Sequence, residues 1–194
     1  MDSSRSFLIL AALGADQPGL AATVTRYVAE RGGNVEDSRM VALGGVFGIM
    51  LLISATAAEA EQITRDAAAL EREVGMRVTV QPASDPGAKG AHTPDETLLA
   101  VTASAFDREG LIMEISDIMR STGGNIVEME TTTYDDPVRG AAMFQMDMTV
   151  AVPAERDLAA IRDALASLAE REQIQAEVKR ADSAPGSALA RDAS

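Results

Sequence analysis

The order of apolar and polar residues predicts a repeated pattern of strands and helices. Residues 7–13 form a short apolar run of strand length, consistent with a central buried strand. Leu20, Val24, Tyr27 and Val28 then fall on one helical face, and Gly32-Gly33 ends that helix. Residues 35–43 read as a strand, and Gly44-Gly45 is a two-residue hairpin signal. Phe47, Ile49, Leu51 and Ile53 alternate on one face of the next strand. Gly48, Met50 and Leu52 make its other face apolar too, so that face is expected to be covered. Residues 57–74 carry Ile63, Ala67, Leu70 and Val74 at helical spacing. Met76, Val78 and Val80 alternate in a closing strand.

The whole pattern then recurs. Asp16-Gln17-Pro18-Gly19-Leu20 returns as Asp107-Arg108-Glu109-Gly110-Leu111, and Gly32-Gly33-Asn34 returns as Gly123-Gly124-Asn125, both at an offset of 91. Val24 and Val28 return as Ile115 and Met119. Phe47 returns as Phe144 at an offset of 97, so the second copy holds 6 extra residues in between. Tyr134 to Gly140, with its Asp, Pro and Gly, is the expected site of a longer hairpin loop. In the second copy Phe144, Met146, Met148, Val150 and Val152 alternate with Gln145, Asp147 and Thr149, which predicts one buried and one polar sheet face. Leu158, Ile161, Leu165 and Leu168 cover it as a helix, and Ile174, Ala176 and Val178 close it.

The order βαββαβ in each copy is the ferredoxin-like arrangement, an α+β fold with both helices on one face of a four-stranded antiparallel sheet. The copies are placed at 5–81 and 97–180, joined by a Pro/Gly-rich linker at 82–96 and followed by an aperiodic, disordered tail at 181–194. A domain of this size has a thin core, so the two copies are expected to pair, and the chain is open to forming a homodimer.

Composition narrows the function. The formal net charge is −13 with no Lys/Arg run, which argues against direct nucleic-acid binding. There is no Cys, which removes disulfides, thiol nucleophiles and thiolate metal sites. His92 is the one histidine and stands in the linker, where it is assigned no role. No paired-carboxylate, nucleophile-elbow or phosphate-loop motif occurs. The expectation is a non-enzymatic chain with no cofactor and no metal. No signal peptide or membrane span is legible, so the cytoplasm is the expected compartment. Aromatics are 3% with no Trp, so the core is aliphatic, with the 10 Met as adaptable filler.

These residues resemble the ACT domain. Gly14-Ala15-Asp16-Gln17-Pro18-Gly19-Leu20, followed by Gly33-Asn34-Val35 and an acidic residue, is similar to ACT domains of the glycine cleavage repressor kind. It is also similar to the N-terminal part of formyltetrahydrofolate deformylases. The second copy departs at Glu109, where the family usually has Pro. The resemblance implies that an amino acid or similar small effector binds at the loop before the first helix, often at an interface between domains. It also implies a regulatory protein acting through a transcription factor or enzyme partner.

The residues themselves support a binding site at that loop. A helix N-terminus attracts a carboxylate, and glycine lets a ligand approach the backbone. The candidate ligand-binding residues are Asp16, Gln17, Pro18, Gly19, Leu20 and Asn34, with Asp107, Gly110, Leu111 and Asn125 in the second copy. Asp16 with Asn34, or Asp107 with Asn125, would accept hydrogen bonds from an ammonium group. Structural roles compete with this reading. The aspartates also suit helix caps, the leucines suit the core, and the asparagines suit a left-handed position after the glycines. The competing functions are an assembly module that needs no effector and a regulatory relative of the deformylase.

Overall fold

The computed structural model describes residues 5–85, 96–156 and 158–181. The chain divides into two compact units, Met1–Ala91 and His92–Ser194. Residues 86–95 of the expected linker, with His92, and residues 182–194 of the expected tail lie outside the described residues.

The first unit runs β1 (Ser6–Ala15), α1 (Leu20–Glu30), β2 (Asn34–Leu43), β3 (Val46–Ala55), α2 (Ala57–Val74) and β4 (Arg77–Ala83). Its sheet has the order β2-β3-β1-β4 and is antiparallel throughout. The second unit runs β5 (Glu96–Phe106), α3 (Leu111–Ser121), β6 (Asn125–Asp136), β7 (Ala141–Pro153), α4 (Leu158–Glu172) and β8 (Gln175–Arg180). Its sheet order β6-β7-β5-β8 is the same. Both units are ferredoxin-like α+β folds, as the periodicity predicts.

The side-chain period of each strand sorts its residues. Leu8, Leu10 and Ala12 of β1 and Ile49, Leu51 and Ile53 of β3 are buried with Leu20, Val24, Tyr27 and Val28 of α1 and Ile63, Leu70 and Val74 of α2. In the second unit Val101, Met146, Met148 and Val150 are buried with Leu111, Ile115 and Met119 of α3 and Ile161, Leu165 and Leu168 of α4. The 6 extra residues become a longer hairpin. Leu43 faces Val46 across a two-residue turn, with Gly44 and Gly45 both at positive φ, as a type I′ turn requires. The equivalent pair Tyr134 and Met143 is followed by two further pairs before the turn, which opens at Asp136 and closes at Ala141. The Asp136 carboxylate accepts from the N–H groups of Val138 and Arg139 there.

The helices α1 and α3 end identically. Gly32 N–H donates to the Ala29 carbonyl and Gly33 N–H to the Val28 carbonyl; Gly123 and Gly124 do the same with Arg120 and Met119. This double closure is a Schellman motif. Gly32 and Gly123 take positive φ. Gly33 and Gly124 serve packing instead: a Cβ on Gly33 would sit 2.8 Å from Val28, and one on Gly124 would sit 2.7 Å from Val150.

The expectation that the second face of β3 is covered does not hold within the unit. Both helices pack on the other side, and Leu13 and Met50 stay 59% and 50% exposed. β1 is therefore central in its sheet but buried on one face only.

Candidate functional site

The loops 16–19 and 107–110 carry the motif. In both, glycine is the N-cap: Gly19 has φ +90° and Gly110 has φ +88°. Neither helix has a side-chain cap, so capping is not the role of Asp16 or Asp107. The first hydrogen bonds of the helices are Thr23 N–H to Gly19 and Glu114 N–H to Gly110, each at 3.0 Å. The N–H groups of the first turn before them have no partner inside the helix and carry its positive end. Nothing stands within 4 Å of where a Gly19 Cβ would be, so that glycine answers a backbone angle and leaves the approach open. Backbone bonds tie each loop to its hairpin, from Asp16 N–H to the Gly45 carbonyl and from Asp107 N–H to the Ala142 carbonyl.

Asp16, Gln17, Pro18 and Gly19 are exposed, as are Asp107 and Gly110. Leu20 and Leu111 are core residues, 7% and 2% exposed. The asparagines lie elsewhere. Asn34 opens β2 and faces Ser54 near the end of β3, while Asp16 is tied to the hairpin at its start. Asn125 likewise faces Ala151, and Asp107 is tied to the far end of β7. Between loop and asparagine runs an 11-residue helix, about 16 Å long. A ligand held within one unit therefore cannot touch both Asp16 and Asn34, or both Asp107 and Asn125. This corrects the joint ammonium site expected from the motif. Nor are the asparagines left-handed: Gln173 is the one non-glycine at positive φ among the described residues. The Asn34 amide donates instead to Glu36, which also accepts from buried Ser54. Glu36 lies at the β2 bulge, and these two bonds hold its carboxyl below the usual range.

A cavity of about 470 Å³ opens over the first sheet, and one of about 500 Å³ lies at the second motif loop. The second holds candidate site residues. Asp107, Arg108, Gly110 and Leu111 line it from the loop, Ile112 and Met113 from the first turn of α3, and Thr131, Thr133 and Phe144 from the hairpin. Position along the hairpin explains the last three. Thr131 and Thr133 face Met146 and Phe144, on the helix side of the sheet. Their counterparts in the first unit are Met40 and Ala42, which face Ile49 and Phe47. The second site therefore has hydroxyls where the first has apolar groups.

Arg108 holds the second loop. Its guanidinium donates to both Glu114 carboxylate oxygens, at 3.0 and 2.9 Å, and to Glu172 of α4 at 2.9 Å. The hydrogen bonds from Arg108 hold the Glu114 carboxyl below its ordinary range. The first unit ties its helices at the other end, where Arg31 bonds Asp66 at 3.0 Å and lies 3.8 Å above the Tyr27 ring. No cluster of metal-binding side chains exists among the described residues. None of their helices is long and apolar enough to cross a membrane.

Two βαββαβ units with a glycine-started first helix define a tandem regulatory module of the ACT type, and the ACT domain model matches residues 6–81. The glycine cleavage system transcriptional repressor of Escherichia coli (strain K12) is 30% identical over 171 residues, covering 86% of this chain and 85% of that protein. The protein of the same name from Shigella flexneri matches to the same extent. A crystal structure of an unknown protein from Galdieria sulphuraria superposes with a TM-score of 0.79 at 26% identity, over 92% of this chain and 99% of that one. The chain belongs to the ACT-domain family that includes the glycine cleavage system transcriptional repressor.

Proposed function

We propose that the chain is a non-catalytic regulator that binds an α-amino acid at the second motif loop and acts through a protein partner. One observation carries this reading: the cavity at 107–113 brings opposite charges and an apolar wall together. The N-terminus of α3, on the loop that Arg108 holds through Glu114 and Glu172, suits the carboxylate. Asp107 suits the ammonium, the hydroxyls of Thr131 and Thr133 add polar contacts, and Ile112, Met113 and Phe144 suit a side chain. The relatives' name supports a role in transcriptional control of glycine metabolism. The charge of −13 favours contact with a protein rather than with nucleic acid. A cytosolic setting follows from that role.

Thermal melting with each of the twenty amino acids tests the site. A ligand at 100 times its dissociation constant stabilises the native state by about 2.7 kcal/mol, which raises the melting temperature by several degrees. The expected result is a saturable rise with one amino acid or a few related ones. The rise disappears in Asp107→Asn and shrinks in Thr133→Val. A rise that survives Asp107→Asn moves the site elsewhere, and no rise with any amino acid favours the assembly module.

A further inference from the structure

The sheet faces that the helices leave open differ sharply between the units. In the first, Leu13, Val41, Leu43, Val46 and Met50 are all at least 41% exposed on one continuous face. Gly48 makes a dimple in its middle, part of the 470 Å³ cavity there. The second unit shows that the fold does not demand this. Its residues at the places of Leu13, Val41, Gly48 and Met50 are Ser104, Thr132, Gln145 and Asp147.

We infer that this open face of the first unit is a dimer interface, and that its occupant is the same face of a second copy of the chain. The first argument is area. The face spans four strands, with Arg77 and Thr79 of β4 bordering the apolar residues of the other three, and about seven residues of β3, roughly 20 Å by 25 Å. That is about 500 Å² per copy and 1,000 Å² for a pair, the lower bound for a specific interface. The second argument is chemistry. An apolar sheet face packs best on another apolar sheet face about 10 Å away. The other open sheet in this chain presents Glu128, Glu130, Asp147 and Glu177, and burying those carboxylates against Leu13 and Met50 is costly. The third is self-complementarity. Arg39 and Asp37 pair at 2.7 Å at the edge of the face, so both signs are present there. A two-fold axis that passes between them on β2 would set each beside its opposite on the second copy.

The second unit supplies the test variants, because it folds with polar residues at these positions. Sedimentation of the full chain at about 50 μM should give twice the chain mass. The triple variant L13S, V41T and M50D should be monomeric, with its dissociation constant raised at least about a hundredfold and its far-UV circular dichroism unchanged. If that variant does not fold, M50D alone is read in the same way. A monomeric wild type overturns the inference. So does a folded M50D chain that dimerises as tightly as the wild type.

Discussion

The loops at 16–19 and 107–110 start equivalent helices at almost the same glycine angle, +90° and +88°, yet are held by different forces. The first has Pro18, whose ring fixes a backbone angle covalently. The second has Glu109 in that place, and Arg108 beside it grips Glu114 and Glu172. The first loop is therefore stiff at any salt concentration. The second is held by ion pairs a third or less exposed, which salt and acid loosen. The two open sheet faces divide in the same way, one apolar and one acidic. A duplicated fold has kept its helix starts, helix ends and core, and has diverged at the loop support and the outer sheet face. The parts kept are those with a geometric reason; the parts changed are those proposed above to meet a ligand and a second copy.

The sharpest way to break this comparison is at the shared helix ends. Gly33→Ala and Gly124→Ala put a Cβ within 2.8 and 2.7 Å of a buried valine. Overpacking of this kind costs about 1–3 kcal/mol. Both variants are expected to lose stability by similar amounts in denaturant titration, with no change in how any amino acid binds to the protein that remains folded. A loss confined to one unit would show that the two ends are not equivalent.

Next in size are the helix starts. Gly19→Ala meets no atom within 4 Å, and Gly110→Ala meets only side-chain ends at 3.7 Å or beyond. The cost is that of holding an alanine at positive φ, about 1–2 kcal/mol. The two variants should lie within about 0.5 kcal/mol of each other in the same titration. A much smaller loss for Gly110→Ala would mean that the Arg108-held loop relaxes where the Pro18 loop cannot.

Much of this was legible in the sequence, and the exceptions have physical causes. The elements, their order and the burial of Val24, Ile53, Ile115 and Val150 follow from periods of two and 3.6, because one face of each element must leave water. The longer second hairpin followed from the change in offset. Asn34 was misplaced because spacing along a chain carries no direction. The helix between Asp16 and Asn34 carries the backbone from one end of the unit to the other. Glu109 read as the departure from the motif while Arg108 carried no signal, since its partner Glu172 is 64 residues away and no local pattern announces it. The open face of the first sheet was read as covered because apolar residues usually are. Within one unit nothing in the fold covers it.

The smallest expected effect is the one that isolates the difference between the loops. Arg108→Ala removes three carboxylate contacts that join the loop, α3 and α4, whereas Gln17→Ala removes only an exposed side chain. Pairs this exposed contribute little in water, so a drop of about 1–3 °C in melting temperature is expected for Arg108→Ala, and none for Gln17→Ala. The chain has no Trp and two Tyr, one in each unit. Tyr134 fluorescence in a Tyr27→Phe background therefore reports on the second unit alone. Raising salt should narrow the gap in melting temperature between the wild type and the variant. Acid acts on the same pairs. Arg108 holds the folded Glu114 pKa below its value of 4.5 in the unfolded chain, so the folded state binds fewer protons. The contribution is present above pH 4.5 and is lost as the pH falls through the folded value. Below that value wild type and Arg108→Ala should melt together; above pH 4.5 they should separate. A gap that stays constant across this range would assign Arg108 a packing role and leave the second loop no more sensitive to charge than the first.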